Sequence, residues 1–220
     1  MKDGLMWLLQ ANDTGYPSGG YAHSYGLEEL VRAGVVRDGE GLERFLSKQV
    51  VPGLLRFELP FFARAHGAAA AGDAGALVEL DGELDGWRIA AELRDASRRV
   101  GSQRLELLWR LDGGELVTGH RRSCPRSHHL VVTALELREL AVGVAGRAFA
   151  YQAVVAGTAA AMKLMRIGQT ACQGILYRVL GELGGEVDAA VLREVDGFFN
   201  PLLEIAALRH AFANERLFIS

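Results

Sequence analysis

Lysine is scarce in this chain: Lys2, Lys48 and Lys163 are three of 24 basic side chains, and the other 21 are arginine. A phosphate-cradling loop of the Walker type needs lysine directly after glycine. None of the three follows a glycine, so that route to nucleotide hydrolysis is excluded. Cysteine is scarcer still. Cys124 and Cys172 cannot build a disulfide framework, which points to a reducing compartment. An excess of either charge is missing too: 24 basic against 27 acidic side chains leave a net charge of −3, which excludes a nucleic-acid binder working by bulk basicity. His-Glu-x-x-His, Gly-x-Ser-x-Gly and Cys-x-x-Cys patterns are all absent. Long hydrophobic runs are lacking as well. The longest uncharged stretch lies between Arg147 and Lys163 and carries Gln152 and Thr158. It falls short of the about 20 apolar residues of a membrane span and reads as a helix buried in protein. The opening run Leu5-Met6-Trp7-Leu8-Leu9 is too short for a signal peptide. A soluble, cytoplasmic chain is expected.

What is present is ordinary globular material: 220 residues, 50% apolar, 8% aromatic and 23% charged. A chain of this size buries roughly 70% of its unfolded surface without staples. Strand signals are nearly absent, and Val50-Val51 and Val131-Val132-Thr133 sit inside patterns of helical period. Leu42, Phe45, Leu46 and Val50 recur at three- and four-residue steps behind an N-cap at Asp38. Pro52 and Pro60 are expected to kink or break that helix before His66. Leu77, Leu80, Leu84, Trp87 and Ala91 draw a second stripe, with Arg94, Arg98 and Arg99 on the same helix. Ala171, Ile175, Leu176, Val179, Leu180 and Leu183 make the cleanest stripe, stopped by Gly184-Gly185. Val191 to Phe199 reads as a further short helix, ended where Asn200 caps and Pro201 opens the next. The fold class is all-α, a single domain over residues 1–220 with roughly eight to ten helices. Three parts stand apart: an N-terminal segment and turn (1–20), a loop (111–129) and a C-terminal tail (209–220).

Two clusters have chemical interest. His120, Cys124, His128 and His129 bring donors suited to zinc or nickel into ten residues, but Arg121, Arg122 and Arg126 interleave them and repel a cation. The alternatives are a metal-responsive protein binding nickel or zinc through this loop, or a solvated loop that holds histidines. The second cluster is Asp13 to Glu28. A glycine-proline turn feeds a helix with His23, Ser24 and Glu28 near its start, which serves either catalysis or a shaped turn packed by Tyr16, Tyr21 and Tyr25. No second acid or base is fixed nearby, which favours the shaped turn.

These residues also carry a resemblance. Pro17, Gly19, Gly20, Tyr21, His23, Ser24, Gly26, Leu27 and Glu28 resemble the Pro-x-Gly-Gly-(Tyr/Phe)-x-His-Ser-x-Gly-Leu-Glu segment of the urease accessory protein UreF family. The likeness continues through Leu59-Pro60-Phe61-Phe62-Ala63-Arg64, Glu92-Leu93-Arg94 and Lys163-Leu164-Met165-Arg166-Ile167-Gly168-Gln169. It closes in Arg209-His210 and Arg216-Leu217-Phe218, over essentially the whole chain. The chain departs from the family pattern at Arg166, where proline is common, at Ala211, where Glu is usual, and at Asn214-Glu215, where Tyr-Ser is usual.

The resemblance implies an all-α homodimer that is not an enzyme and carries no cofactor. It implies a scaffold that bridges UreD (also called UreH) and the GTPase UreG, modulates the GTPase, and takes part in nickel insertion into apo-urease. It places partner binding on Tyr16, Pro17, Gly19, Gly20, Tyr21, His23, Ser24, Glu28, Lys163, Gly168, Gln169, Arg209, His210, Arg216, Leu217 and Phe218. Lys163 either meets UreG or compensates the dipole of the long apolar helix it ends. Gly168-Gln169 is expected to form a turn with a glycine at positive φ. Ala148 to Met162, rich in small residues, packs in the core or across a dimer seam. The tail after Leu208 is expected to be mobile, or packed on a neighbour, until UreD orders it.

Overall fold

Asp3 starts the first helix: its carboxylate accepts the backbone N–H groups of Leu5 and Met6, which have no partner inside the helix. The computed structural model describes residues 3–13, 15–17, 23–213 and 216–219, and among them there are ten helices and no strand. They are α1 (Gly4–Asn12), α2 (Leu27–Arg32), a long α3 (39–70), α4 (Ala74–Trp87), α5 (Ala91–Leu111), α6 (Glu115–Ser123), α7 (His129–Glu136), α8 (Val142–Leu164), α9 (Gln169–Ala190) and α10 (Pro201–His210). The expected all-α architecture is what the chain adopts.

Helix α3 corrects the expected break at the prolines. Its stretches Gly39–Phe45, Leu46–Val50, Val51–Gly53, Leu54–Glu58 and Leu59–Ala70 follow one another without interruption. Two are π-helical, and each ends just before a proline-bearing turn. Val51 N–H donates to the Leu46 carbonyl and Leu59 N–H to the Leu54 carbonyl, five residues back. Each wide turn shifts the carbonyls that Pro52 and Pro60 would otherwise strike, and neither ring needs a donor there. Asp38 caps the helix as expected, accepting from Gly41 N–H at 2.8 Å.

Four other boundaries differ from expectation. The stripe of Leu77, Leu80 and Leu84 ends with α4, and the three arginines begin a separate helix, α5. Between them Arg88 pairs with Glu58 at 3.1 Å and the Ala90 N–H donates to Glu204 at 3.0 Å, so tertiary bonds pull the chain out of the helix. The expected loop 111–129 contains α6, whose Val117 and His120 face inward while Arg121 lies 4.2 Å over the Trp109 ring. Helix α9 runs through Gly184-Gly185 because the buried series Leu176, Val179, Leu183, Val187 and Ala190 continues beyond them. Residues 194–200 are irregular rather than helical, with Phe198 closing over Gly53. Gly168 has φ −82°, not the expected positive value, and stands as the extended N-cap of α9. Asn200 and Pro201 open α10 as expected, the Asn200 side chain accepting from Leu203 N–H at 3.2 Å.

Helix α7 is the hub. Every residue from Leu130 to Glu136 is buried, packed chiefly against α5 and the last stretch of α3. A helix hydrophobic all round belongs in an interior. Gly101 makes this packing possible: a Cβ there would lie 2.0 Å from the Ser127 carbonyl oxygen, so only glycine lets the chain entering α7 cross α5 this closely. The buried apolar side chains form one cluster drawn from α1 to α9, with Ala206 of α10 and Phe218 joining it.

Candidate functional site

Gly26, at φ 91°, turns the chain into α2 in a left-handed conformation that other residues adopt only with strain. The turn brings α2 against α10, and a Cβ on Gly26 would meet that of Ala206 at 3.4 Å. Glu28 then stands beside the last residue of α10, His210, which is 1% exposed. The His210 ring joins two helices, with Nδ1 2.6 Å from Glu92 of α5 and Nε2 2.9 Å from Glu28 of α2. Glu28 has a second set of partners. The backbone N–H groups of Leu217 and Phe218 donate to its two oxygens at 2.7 and 3.0 Å. The Arg216 guanidinium turns back onto the Ala211 and Ala213 carbonyls and lies 3.9 Å from Glu92. Phe218 is buried, and the Lys163 ammonium at the end of α8 sits 5.1 Å from its ring centre.

Six of the sixteen expected residues therefore meet in one clasp: Glu28, Lys163, His210, Arg216, Leu217 and Phe218. The helix end moves one bound of the expected tail. Arg209 and His210 finish α10 rather than begin a tail, and beyond them Phe218 is buried against its own chain while Leu217 and Ile219 stay exposed. The reason is local chemistry: a carboxylate has lone pairs enough to accept several donors, and it offers them to a backbone that has no helix left to satisfy it. Burial works to raise the Glu28 carboxyl, but the Leu217 N–H, the His210 ring and the Phe218 N–H outweigh it, so the group stays below its usual range.

The remaining expected residues lie elsewhere. Arg209 is exposed on α10, and Gly168 and Gln169 are exposed where α9 starts. Pro17 is exposed; Gly19, Gly20 and Tyr21 fall outside the described residues. His23 and Ser24 are buried, which supports the shaped turn over catalysis. Burial first, and Arg99 second, push the His23 imidazole down to about 4, so the ring is neutral at pH 7. Ser24 Oγ lies 3.4 Å from the Glu28 N–H at the start of α2.

Tyr16 belongs to a second, interior network. Its hydroxyl donates to Glu136, and its ring lies 5.1 Å from the Arg104 guanidinium. Arg104, 1% exposed, pairs with Glu136 and also donates to the Gln152 side chain and the Ala11 carbonyl, each at 3.1 Å. Trp7 Nε1–H donates to the Glu136 carbonyl at 3.0 Å. Helices α1, α5, α7 and α8 are thus pinned at one point. Burial, then the Glu136 charge, drives the Tyr16 phenol well above its usual range. Sequence reasoning missed Arg104, Glu136 and Glu92 as site residues. The available signal was Glu136 itself, a lone carboxylate closing the apolar run from Leu130.

The histidine-cysteine cluster is organised around Asp81, which is 2% exposed. Ser127 Oγ and the His128 N–H donate to one carboxylate oxygen at 2.6 and 2.7 Å, and the Cys124 thiol to the other at 3.2 Å. His120 Nε2 is 3.0 Å from Ser127 Oγ; His128 lies between Ser97 at 3.1 Å and Asp85 at 3.2 Å. His129 instead packs its ring 5.9 Å from that of Phe149. Both His128 nitrogens are engaged, and burial, then Asp81, pushes the Cys124 thiol up to about 12, far from a thiolate ligand. Among the described residues no group of three or more histidine, cysteine or acidic side chains is placed to hold a metal ion.

A model of the UreF family matches residues 36–180. The urease accessory protein UreF of Pseudomonas putida (strain W619) is 37% identical over 229 residues, covering 98% of this chain and 97% of that one. That of Klebsiella pneumoniae (strain 342) is 32% identical over 219 residues, 97% and 96% of the two chains. That of Bacillus sp. (strain TB-90) is 30% identical over 232 residues, 98% and 99%. The chain belongs to the UreF family. The matched UreF region runs from Val36 to Leu180, so it takes in Glu92 and Lys163, while Glu28, His210 and residues 216–219 lie outside it. Among the described residues, no helix of this UreF-family chain is long and apolar enough to cross a membrane.

Proposed function

We propose that this UreF-family chain acts as a non-enzymatic scaffold and chaperone in urease maturation. It bridges UreD/UreH and the GTPase UreG, modulates the GTPase, and supports nickel insertion into apo-urease, as a cytoplasmic, single-domain homodimer. The observation that carries the reading is the clasp. It fixes the backbone of the C-terminal segment while leaving apolar side chains outside: Leu217 is 63% exposed and Phe212 86%, beside Ile205, Leu208 and Ile219. Exposed apolar side chains on a held backbone form a binding surface whose ordering entropy is already spent, and they dock a partner more readily than a free tail.

The remaining assignments follow from position. Lys163, exposed at the end of α8, is the proposed contact with UreG, and its place over Phe218 joins that contact to the tail. Arg209, Gly168 and Gln169 are exposed and serve as edge contacts. Pro17, Gly19, Gly20 and Tyr21 belong to the same proposal, while His23 and Ser24 act from beneath by shaping the turn into α2. Co-expression with UreD and UreG tests the reading: all three are expected to co-purify, and loss of UreD on removing residues 214–220, with helix content unchanged, ties the contact to the clasp.

A further inference from the structure

His210 is the buried group whose contacts are most fully defined by charge. A carboxylate oxygen only accepts, so each ring nitrogen meets its glutamate favourably only as an N–H donor. Both contacts, 2.6 Å to Glu92 and 2.9 Å to Glu28, are satisfied together only by the doubly protonated ring. The neutral ring leaves a bare lone pair against a carboxylate. Charged groups reach this point from every packed element: Glu28 from α2, Glu92 from α5 and Arg216 from the tail. Lys163 comes from α8 over Phe218, while on α10 Arg209 is exposed and Glu204 is engaged by the Ala90 N–H. Arg216, at 3.9 Å, is too far from Glu92 to replace the ring, and the second Glu92 oxygen is buried without a partner. Glu92 therefore keeps the Nδ1 proton, and the contact to Glu28 is the one that fails.

We propose that His210 is a pH-sensitive latch: doubly protonated, it holds Glu28 where it binds residues 217–218, and on losing a proton it repels Glu28 and releases the tail. The proposal adds regulation to the clasp and rests on the reading of the tail as a partner surface. Its test needs no partner.

The full-length chain is followed by amide NMR at Leu217 and Phe218 between about pH 5 and about pH 8.5, a range that contains the interval in which an unperturbed imidazole changes charge. Ordered tail amides are expected at the acid end, with loss of their dispersed shifts and rise of fast motion at the alkaline end. In Glu92→Gln the amide side chain serves either ring state, so the pH response is expected to vanish while the fold persists. His210→Gln is expected to give a tail whose order does not depend on pH. Wild-type tail amides unchanged across the range, or a Glu92→Gln profile matching wild type, would overturn the latch. A tail that switches in a chain that fails to retain UreD supports the latch and overturns the scaffold reading alone.

Discussion

The backbone N–H of Phe218 donates to the carboxylate of Glu28 at 3.0 Å, across 190 positions of sequence. One side chain on α2 thus holds the chain's C-terminal segment, and the same side chain meets His210. The clasp needs all three partners, so a single substitution at Glu28 should be felt at each.

Glu28→Ala is expected to free residues 216–219 while the helices remain. Hydrogen bonds to a charged group contribute about 1.5–3 kcal/mol each, so exchange at the Leu217 and Phe218 amides should accelerate by at least about tenfold. Hydrogen exchange on the intact chain reads this directly. Protection at Leu217 and Phe218 equal to wild type would show that the tail is held by Phe218 burial instead.

Arg104→Met is expected to destabilise the chain by about 3–5 kcal/mol, because it leaves Glu136 charged and buried. Adding Glu136→Gln should recover much of that loss, since the second substitution removes the uncompensated charge. Urea midpoints of the two single variants and the double variant measure the coupling. Additive losses would mean that Arg104 acts through packing alone.

Acid should destabilise this fold before base does. The His23 imidazole is held down to about 4 by burial and by Arg99, so the folded chain binds fewer protons there than the unfolded one. Its contribution is complete above the unfolded value of about 6.5, declines as pH falls, and is lost below about 4. Glu28, also held below its ordinary value, adds a loss at lower pH with the same sign. Urea midpoints should fall between pH 7 and pH 5, and His23→Gln should flatten that slope.

Nickel titration should give the same weak binding for wild type and for a His128→Ala, His129→Ala double variant. His128 is engaged by Ser97 and Asp85, while His129 packs near Phe149, so the two rings serve different contacts. Stoichiometric tight binding lost in the double variant would restore the metal-responsive alternative. Asp81→Asn is the companion change: it should bring the Cys124 thiol down from about 12, and alkylation of that thiol should quicken.

Helix periodicity made most of this fold readable in advance, and the places where it failed share a cause. The stripes of α3 and α9 were plain because their apolar positions recur every three or four residues. The break before α5 was hidden because it is held by Glu58 and Glu204, which lie far away in sequence. Helix α6 was hidden because its arginine face reads as loop until Trp109 and Glu106 are seen beneath it. At the site, family likeness gathered Glu28, His210 and Phe218 into one set. Their mutual contacts were not legible there, since charge pairs across three helices leave no periodic trace. Glu92 stands within the Glu92-Leu93-Arg94 motif, but its pairing with His210 spans 118 positions and no local pattern announces it.

Co-purification of UreD and UreG with the full-length chain, compared with a chain lacking residues 214–220, is the most direct measurement. Both partners should be retained by the full-length chain, and UreD should be lost from the shortened one while its circular dichroism stays the same. A shortened chain that still retains UreD, or a full-length chain that retains neither partner, would contradict a scaffold working through its clasped C-terminal segment.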